Sequence, residues 1–333
     1  MPTTTKDRPN EFQHLSISTD TIKLDLVPEL GGKILSLIDP TNGVDWMWSP
    51  PDQRGLFRNK ITDPFIAGPL AGADECFPTI APCRWQGRDL PDHGDLWAVP
   101  WQVLAHTESE IDLQVRPPVS PFEFRRRIAL ERNSAHFTYT VRNAGRKDES
   151  FLWAFHPMLH YDAGDRLEVP ATSARIDSQI NTPFGGRGDR IKLPEPLPGV
   201  RLDRLDFGPL KSAAVKYFTD TLEAGRVALV RPKLKRRLIF EFDLKEINTV
   251  GVWINGGGWA DYRHVIIEPG IGAPDPLDVA ADWKRCGRIK AGQTQTWRMS
   301  LRLESIVPPS RGIASNICTD HAGGQAPGDA RYV

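Results

Sequence analysis

Residues 296–304 read TWRMSLRLE, in which Trp297, Met299, Leu301 and Leu303 alternate with polar neighbours. Alternation of period two over four to eight residues marks a strand buried on one face and wet on the other. The same pattern recurs at Ile22, Leu24 and Leu26, at Ile111, Leu113 and Val115, at Phe137, Tyr139 and Val141, and at Leu238, Phe240 and Phe242. Turn-forming residues separate these runs, at Pro40 to Gly43, Arg142 to Gly145, Gly256-Gly257-Gly258 and Ala291-Gly292. Helical windows are scarce. The best, Leu277 to Trp283 after Asp275-Pro276, is two turns at most, with the proline opening it. Many strands at short spacing with no βα rhythm predict an all-β fold of stacked, mostly antiparallel sheets.

Composition narrows the function classes. The 333 residues carry 42 basic and 42 acidic side chains, and the nearest thing to a basic cluster, Lys233 to Arg237, is a single short run. A nucleic-acid binder would show a clustered basic excess, so none is expected as partner. No apolar run approaches 18 residues and the N-terminus has no apolar leader segment, so neither membrane nor export is expected. The four cysteines, Cys76, Cys83, Cys286 and Cys318, form no CxxC pair and read as reduced thiols of a cytoplasmic protein. Gly and Pro number 28 and 29, above the roughly 12% of average usage, which predicts a turn-rich chain. The expected organisation is a polar arm over 1–20, one large β domain over 21–307 and a loosely held tail over 308–333. Within the domain, 182–208 is rich in Pro, Gly and Arg and reads as a long excursion.

Residues able to do chemistry gather in the turn-rich segments. His93 lies in PDHGDLW (91–97), where a loop histidine is well placed to meet a ligand. His156 follows the apolar run 151–155 and precedes Pro157, which is expected to end a strand; a histidine there is either a satisfied buried residue or an acid. Four residues of extended chain would separate His156 from His160 by roughly 13 Å, too far for one ion, and no metal or other cofactor is expected. Among carboxylates, Asp74 and Glu75 precede Cys76-Phe77-Pro78, and Asp92 and Asp95 bracket His93. Glu268 ends the β-branched run Val265 to Ile267 just before Pro269-Gly270. Desolvation there would raise its pKa and make it a better base, the alternative being a strand end facing solvent. Eight of the ten tryptophans lie near these segments, and indole faces suit the C–H edges of a sugar. Asp74, Glu75, Trp97, Trp153 and Trp253 are therefore candidate sugar contacts. Cys76 and Cys83 have no identifiable activating partner and are read as structural.

Taken in chain order, Leu30-Gly31-Gly32-Lys33-Ile34, Glu75-Cys76-Phe77-Pro78, His93-Gly94 with Trp101 following, Trp153 to Pro157, and Ile267-Glu268-Pro269 resemble the aldose 1-epimerase, or galactose mutarotase-like, superfamily. The resemblance spans about Leu24 to Leu303. It implies a galactose mutarotase-like β-supersandwich, a small-molecule sugar as partner, and an isomerase that interconverts α and β anomers without metal or nucleotide. It also implies His156 as acid, Glu268 as base and His93 as a sugar-positioning residue. Two departures leave the sugar unassigned. Ala71 to Pro78 lacks the Asn-Arg-Ile of galactose-specific members, and Trp97 after His93-Gly94-Asp95-Leu96 replaces the arginine-bearing motif of hexose 6-phosphate members. The competing expectations are a non-catalytic carbohydrate sensor on the same fold, and a glycoside hydrolase or lyase pairing Glu268 with Asp74, Glu75 or Asp95. A role in carbohydrate metabolism as a cytoplasmic monomer or homodimer completes the expected picture.

Overall fold

The computed structural model describes residues 12–51, 55–206 and 211–306; the tail expected over 308–333, with Cys318, lies outside them. The chain runs through β1 (Leu15–Ser18), β2 (Lys23–Val27), β3 (Lys33–Asp39), β4 (Val44–Asp45), β5 (Ala73–Cys76), β6 (Cys83–Trp85), β7 (Arg88–Leu90) and β8 (Gln102–His106). It continues with β9 (Glu110–Val115), β10 (Phe122–Glu131), β11 (Ser134–Asn143), β12 (Glu149–Phe151), β13 (Trp153–Leu159), β14 (Arg166–Glu168), β15 (Ser173–Ile180) and β16 (Arg190–Lys192). Then follow β17 (Ala214–Thr219), β18 (Arg226–Arg231), β19 (Arg236–Phe242), β20 (Thr249–Gly256), β21 (Arg263–Ile271), helix α1 (Leu277–Asp282), β22 (Gly287–Ile289) and β23 (Thr294–Ser305).

Two antiparallel sheets stack face to face. The larger has the order β1-β2-β3-β5-β13-β21-β20-β17-β15-β16 with β4 on β3, and the smaller is β14-β18-β19-β23-β11-β10-β9-β8. In β23 the alternating residues face inward: Trp297 and Met299 lie opposite Tyr139 and Phe137 of β11 and join one apolar core with Trp153, Phe155 and Ile267 of the larger sheet. The outer face of β23 is wet, so its sequence alternates. The central strands of the larger sheet differ. Every residue of β5 and β13 is buried, because loops cover their outer face as well.

Several expectations meet corrections here. Leu15 and Ile17 are buried and β1 pairs with β2, so the polar arm contains an edge strand. The 182–208 excursion contributes β16 and buries Phe184, Ile191 and Leu202, while 207–208 fall outside the described residues. Helix α1 begins one residue after Pro276, which occupies the cap position. Pro157 does not end its strand. On the β5 side the ladder runs unbroken from Ala154↔Cys76 to Pro157↔Ala73, and on the β21 side it is interrupted between Ala154↔Gly270 and Met158↔Ile266. Pro157 and Pro269 lack an N–H, so the loss falls on that one side and the strand continues on the other. Among the described residues no helix is long and apolar enough to cross a membrane.

Candidate active site

The site grows from the outer face of the larger sheet, where β13 lies between β5 and β21. Asp74 is the cross-strand partner of His156. The β13–β21 register on either side of the interruption sets His156 opposite Glu268. The next row on the same face carries Met158, Ile266, Trp253 and Lys216 from four adjacent strands. These rows floor a cleft of about 270 Å³, walled by Phe65, Ile66, Ile80, Ala81, His93, Trp259, His264 and Asp275. That volume is at the small end for a ligand site and suits a single sugar ring. A larger cavity of about 400 Å³, around Leu167, Leu193, Leu202 and Tyr217, contains no comparable acid and base pair.

Glu268 is enclosed by opposite partners. Its Oε1 stands 3.7 Å from His156 Nε2 and its Oε2 2.9 Å from Lys216 Nζ, which also contacts Asp275 Oδ1 at 2.8 Å. Gly251 makes the space, since a Cβ there would lie 2.8 Å from Glu268 Oε2. Burial works against the Lys216 ammonium, but Asp275 and Glu268 outweigh it and hold its proton more firmly than in water. Burial also pushes the Asp275 carboxyl well up, with Lys216 opposing and Asp177 and Glu268 adding. For His156 burial acts in the opposite direction and, with His93 and Lys216 close by, lowers its pKa well below the ordinary histidine value. The imidazole is neutral at pH 7, and its Nδ1 is buried without a hydrogen-bond partner. Burial takes His264, whose ring lies 4.6 Å from that of Trp48, down to about 3.

His93 is positioned from two sides. Its Nδ1 lies 2.8 Å from Asp92 Oδ1, Asp92 Oδ2 accepts the Phe65 N–H, and the Phe65 and His93 rings stack at 3.8 Å. Burial works to raise Asp92, but the His93 hydrogen bond, the His93 charge and the Phe65 N–H prevail and hold it low. An ionised carboxylate only accepts, so Nδ1 of His93 carries the hydrogen, and whenever the ring is neutral its lone pair is on Nε2. The turn carrying it is left-handed at both His93 (φ 59°) and Gly94 (φ 77°), and a Cβ on Gly94 would sit 2.0 Å from the Phe77 carbonyl oxygen. Gly94→Ala should therefore cost more than about 1 kcal/mol of stability and displace His93. Urea unfolding and the half-saturating sugar concentration check both effects.

The residues expected from the sequence divide by face. His93, His156, Glu268 and Trp253 line the cleft. Asp74 lies beneath it, bound by Lys33 Nζ at 2.5 Å and closed from solvent. Trp97 packs edge-on against Phe65 and donates its indole N–H to the Asp92 carbonyl, so it supports the wall rather than forming it. Glu75 and Trp153 point the other way. They lie between the sheets, where Glu75 accepts from Arg126, Tyr139 and Trp153. Neither is placed to touch a ligand in the cleft. Asp95 is likewise buried, accepting from Val119 and Ser120, and burial pushes it up to about 6. Phe65, Lys216, His264 and Asp275 escaped the sequence reading. Lys216 left a signal, as a lone charge in the otherwise apolar strand AVKYFT, since a charge is rarely buried without a partner.

Solved structures share the fold. A protein from Synechocystis sp. PCC 6803 superimposes with a TM-score of 0.68 at 16% identity, over 91% of this chain and 100% of that one. A galactose mutarotase-like protein from Lactobacillus casei ATCC 334 gives 0.64 at 17% identity, over 88% and 100%. A galactose mutarotase related enzyme from Lactobacillus acidophilus gives 0.62 at 18% identity, over 88% and 98%. No curated protein matches the sequence. The Aldose 1-epimerase family model matches residues 14–195, more than half of the chain, and the chain belongs to that family.

Proposed function

We propose that the protein is an aldose 1-epimerase acting on an uncharged monosaccharide. The observation that carries this reading is the pair on the cleft floor, Glu268 Oε1 and His156 Nε2 at 3.7 Å. Glu268 takes the proton of the C1 hydroxyl as the C1–O5 bond breaks, and protonated His156 gives a proton to O5. The C1–C2 bond turns, and the reverse transfers close the ring on the other face of C1, so no proton is consumed. Lys216 holds the second oxygen of Glu268, while His93 Nε2 accepts a sugar hydroxyl and Phe65, Trp253 and Trp259 offer apolar faces to the ring. Lys216 is the one cationic Lys or Arg side chain lining the cleft among the described residues, and two carboxylates neutralise it. A phosphate or carboxylate on the sugar would find no free partner there. Asp74, Glu75 and Asp95 do not line the cleft beside Glu268, so the pairs expected of a hydrolase are not assembled.

The environment of His156 sets the pH dependence. Its pKa lies well below 6.5, so at neutral pH the acid form is a minor species that grows as pH falls. Anomer exchange should therefore accelerate from mildly alkaline to mildly acidic pH, up to about tenfold per unit. NMR exchange rates on chelator-treated protein measure this, and a rate that rises towards alkaline pH would remove His156 as the acid. The function itself is tested by polarimetry or NMR on a panel of neutral, acidic and phosphorylated sugars. Acceleration confined to neutral sugars is expected; unchanged exchange across the panel defeats the reading and favours the sensor.

A further inference from the structure

Beneath the cleft floor lies one donor that anomer exchange does not use, Cys76, beside two that it does, His93 and His156. Cys76 Sγ and one ring nitrogen each of His93 and His156 lie within 4.8 Å of one another. A point between them is then no more than about 2.8 Å from all three, against roughly 2.0–2.3 Å for zinc bound to imidazole and thiolate. Side-chain adjustment of about 0.5–0.8 Å closes that gap. Two features prepare the histidines. Asp92 holds Nδ1 of His93, leaving Nε2 as the lone-pair nitrogen, the carboxylate–histidine arrangement that supports a metal ligand. His156 is 4% exposed and its Nδ1 has no hydrogen-bond partner. Cys76 is fully buried beneath the cleft on β5, unlike the partly exposed Cys83 and Cys286.

We propose that Cys76, His93 and His156 form a binding site for a soft divalent cation of the zinc class, and that its occupancy excludes anomer exchange. A thiolate with two imidazoles selects zinc or cadmium over magnesium or calcium, which require oxygen donors. Binding replaces the Cys76 S–H bond with an S–metal bond, and the proton leaves to solvent. No electron changes hands. The inhibitory consequence rests on the proposed acid role of His156, whereas the binding does not.

Chelator-treated full-length protein is titrated with Cd²⁺ and followed by its thiolate-to-cadmium absorption in the ultraviolet. One equivalent should saturate the band, Cys76→Ala should abolish it, and Asp92→Asn should weaken binding about 10–100-fold. X-ray absorption at the zinc edge of the unmutated protein should report one sulfur and two imidazole nitrogens, which keeps the test decisive if Cys76→Ala fails to fold. A zinc shell without sulfur, or a cadmium band that persists in folded Cys76→Ala, overturns the site. If cadmium binds through Cys76 while sugar exchange continues at full rate, the site stands and the acid role of His156 falls. If the parent shows no exchange at all, the absorption data still decide the metal site.

Discussion

Glu268→Gln should lower the rate of anomer exchange by about 10²–10⁴-fold, the range that a positioned proton transfer supplies, with little change in half-saturating sugar concentration. Glutamine keeps the shape of the side chain that Gly251 accommodates but is a far poorer proton acceptor. Lys216 retains its second partner, Asp275 Oδ1 at 2.8 Å, so the cation is not left alone and the fold should persist. His156→Asn should produce a loss of similar size. The double variant should lose much less than the product of the two, because acid and base act in one step. Circular dichroism establishes that each variant is folded, and NMR exchange spectroscopy measures the rates. A folded Glu268→Gln protein with undiminished exchange would sink the assignment. A parent that binds sugar without exchanging it would move the protein to the sensor class.

Arg126→Leu should destabilise the protein by about 3–5 kcal/mol, the cost of leaving a buried charge without its partner. Arg126 and Glu75 are fully enclosed between the sheets and joined at 2.9 Å. Arg126 also donates to the Gly32 carbonyl and lies 4.9 Å from the Trp101 ring. Removal of the guanidinium leaves the Glu75 carboxylate facing only Tyr139 and Trp153. Adding Glu75→Gln to Arg126→Leu should recover part of the loss, since the stranded charge is then gone. Urea unfolding of the two single variants and the double variant measures the coupling. The same series separates Glu75 from the cleft. Glu75→Gln alone should weaken the fold and leave the half-saturating sugar concentration unchanged, whereas a sugar contact would shift that concentration at constant stability.

The alternation in β11 and β23 was legible because each has one wet face, and it implied stacked antiparallel sheets. His156, Glu268 and His93 were legible through their settings and the family resemblance, and the structure brings all three to one cleft. Asp74 and Glu75 were equally acidic and adjacent, and no hydropathy contrast distinguished them, because β5 is buried on both faces. Strand geometry sends neighbours to opposite sides. One therefore lies beneath the cleft and the other enters the core. Trp153 went to the core for the same reason: Phe155 shares its inward face, and His156 takes the other.

By itself the sequence determined the layering, because a strand with one wet face must alternate, and it determined which residue types were available for proton transfer. Only the tertiary structure decided which of them meet. The β13–β21 register sets residues 156 and 268 side by side, 112 positions apart in the chain, and no local pattern encodes a pairing at that distance. Lys216 and Asp275 belong to the same class. Only folding brings Lys216 between the Glu268 and Asp275 carboxyl groups, where it is the counter-charge that makes a buried glutamate tenable.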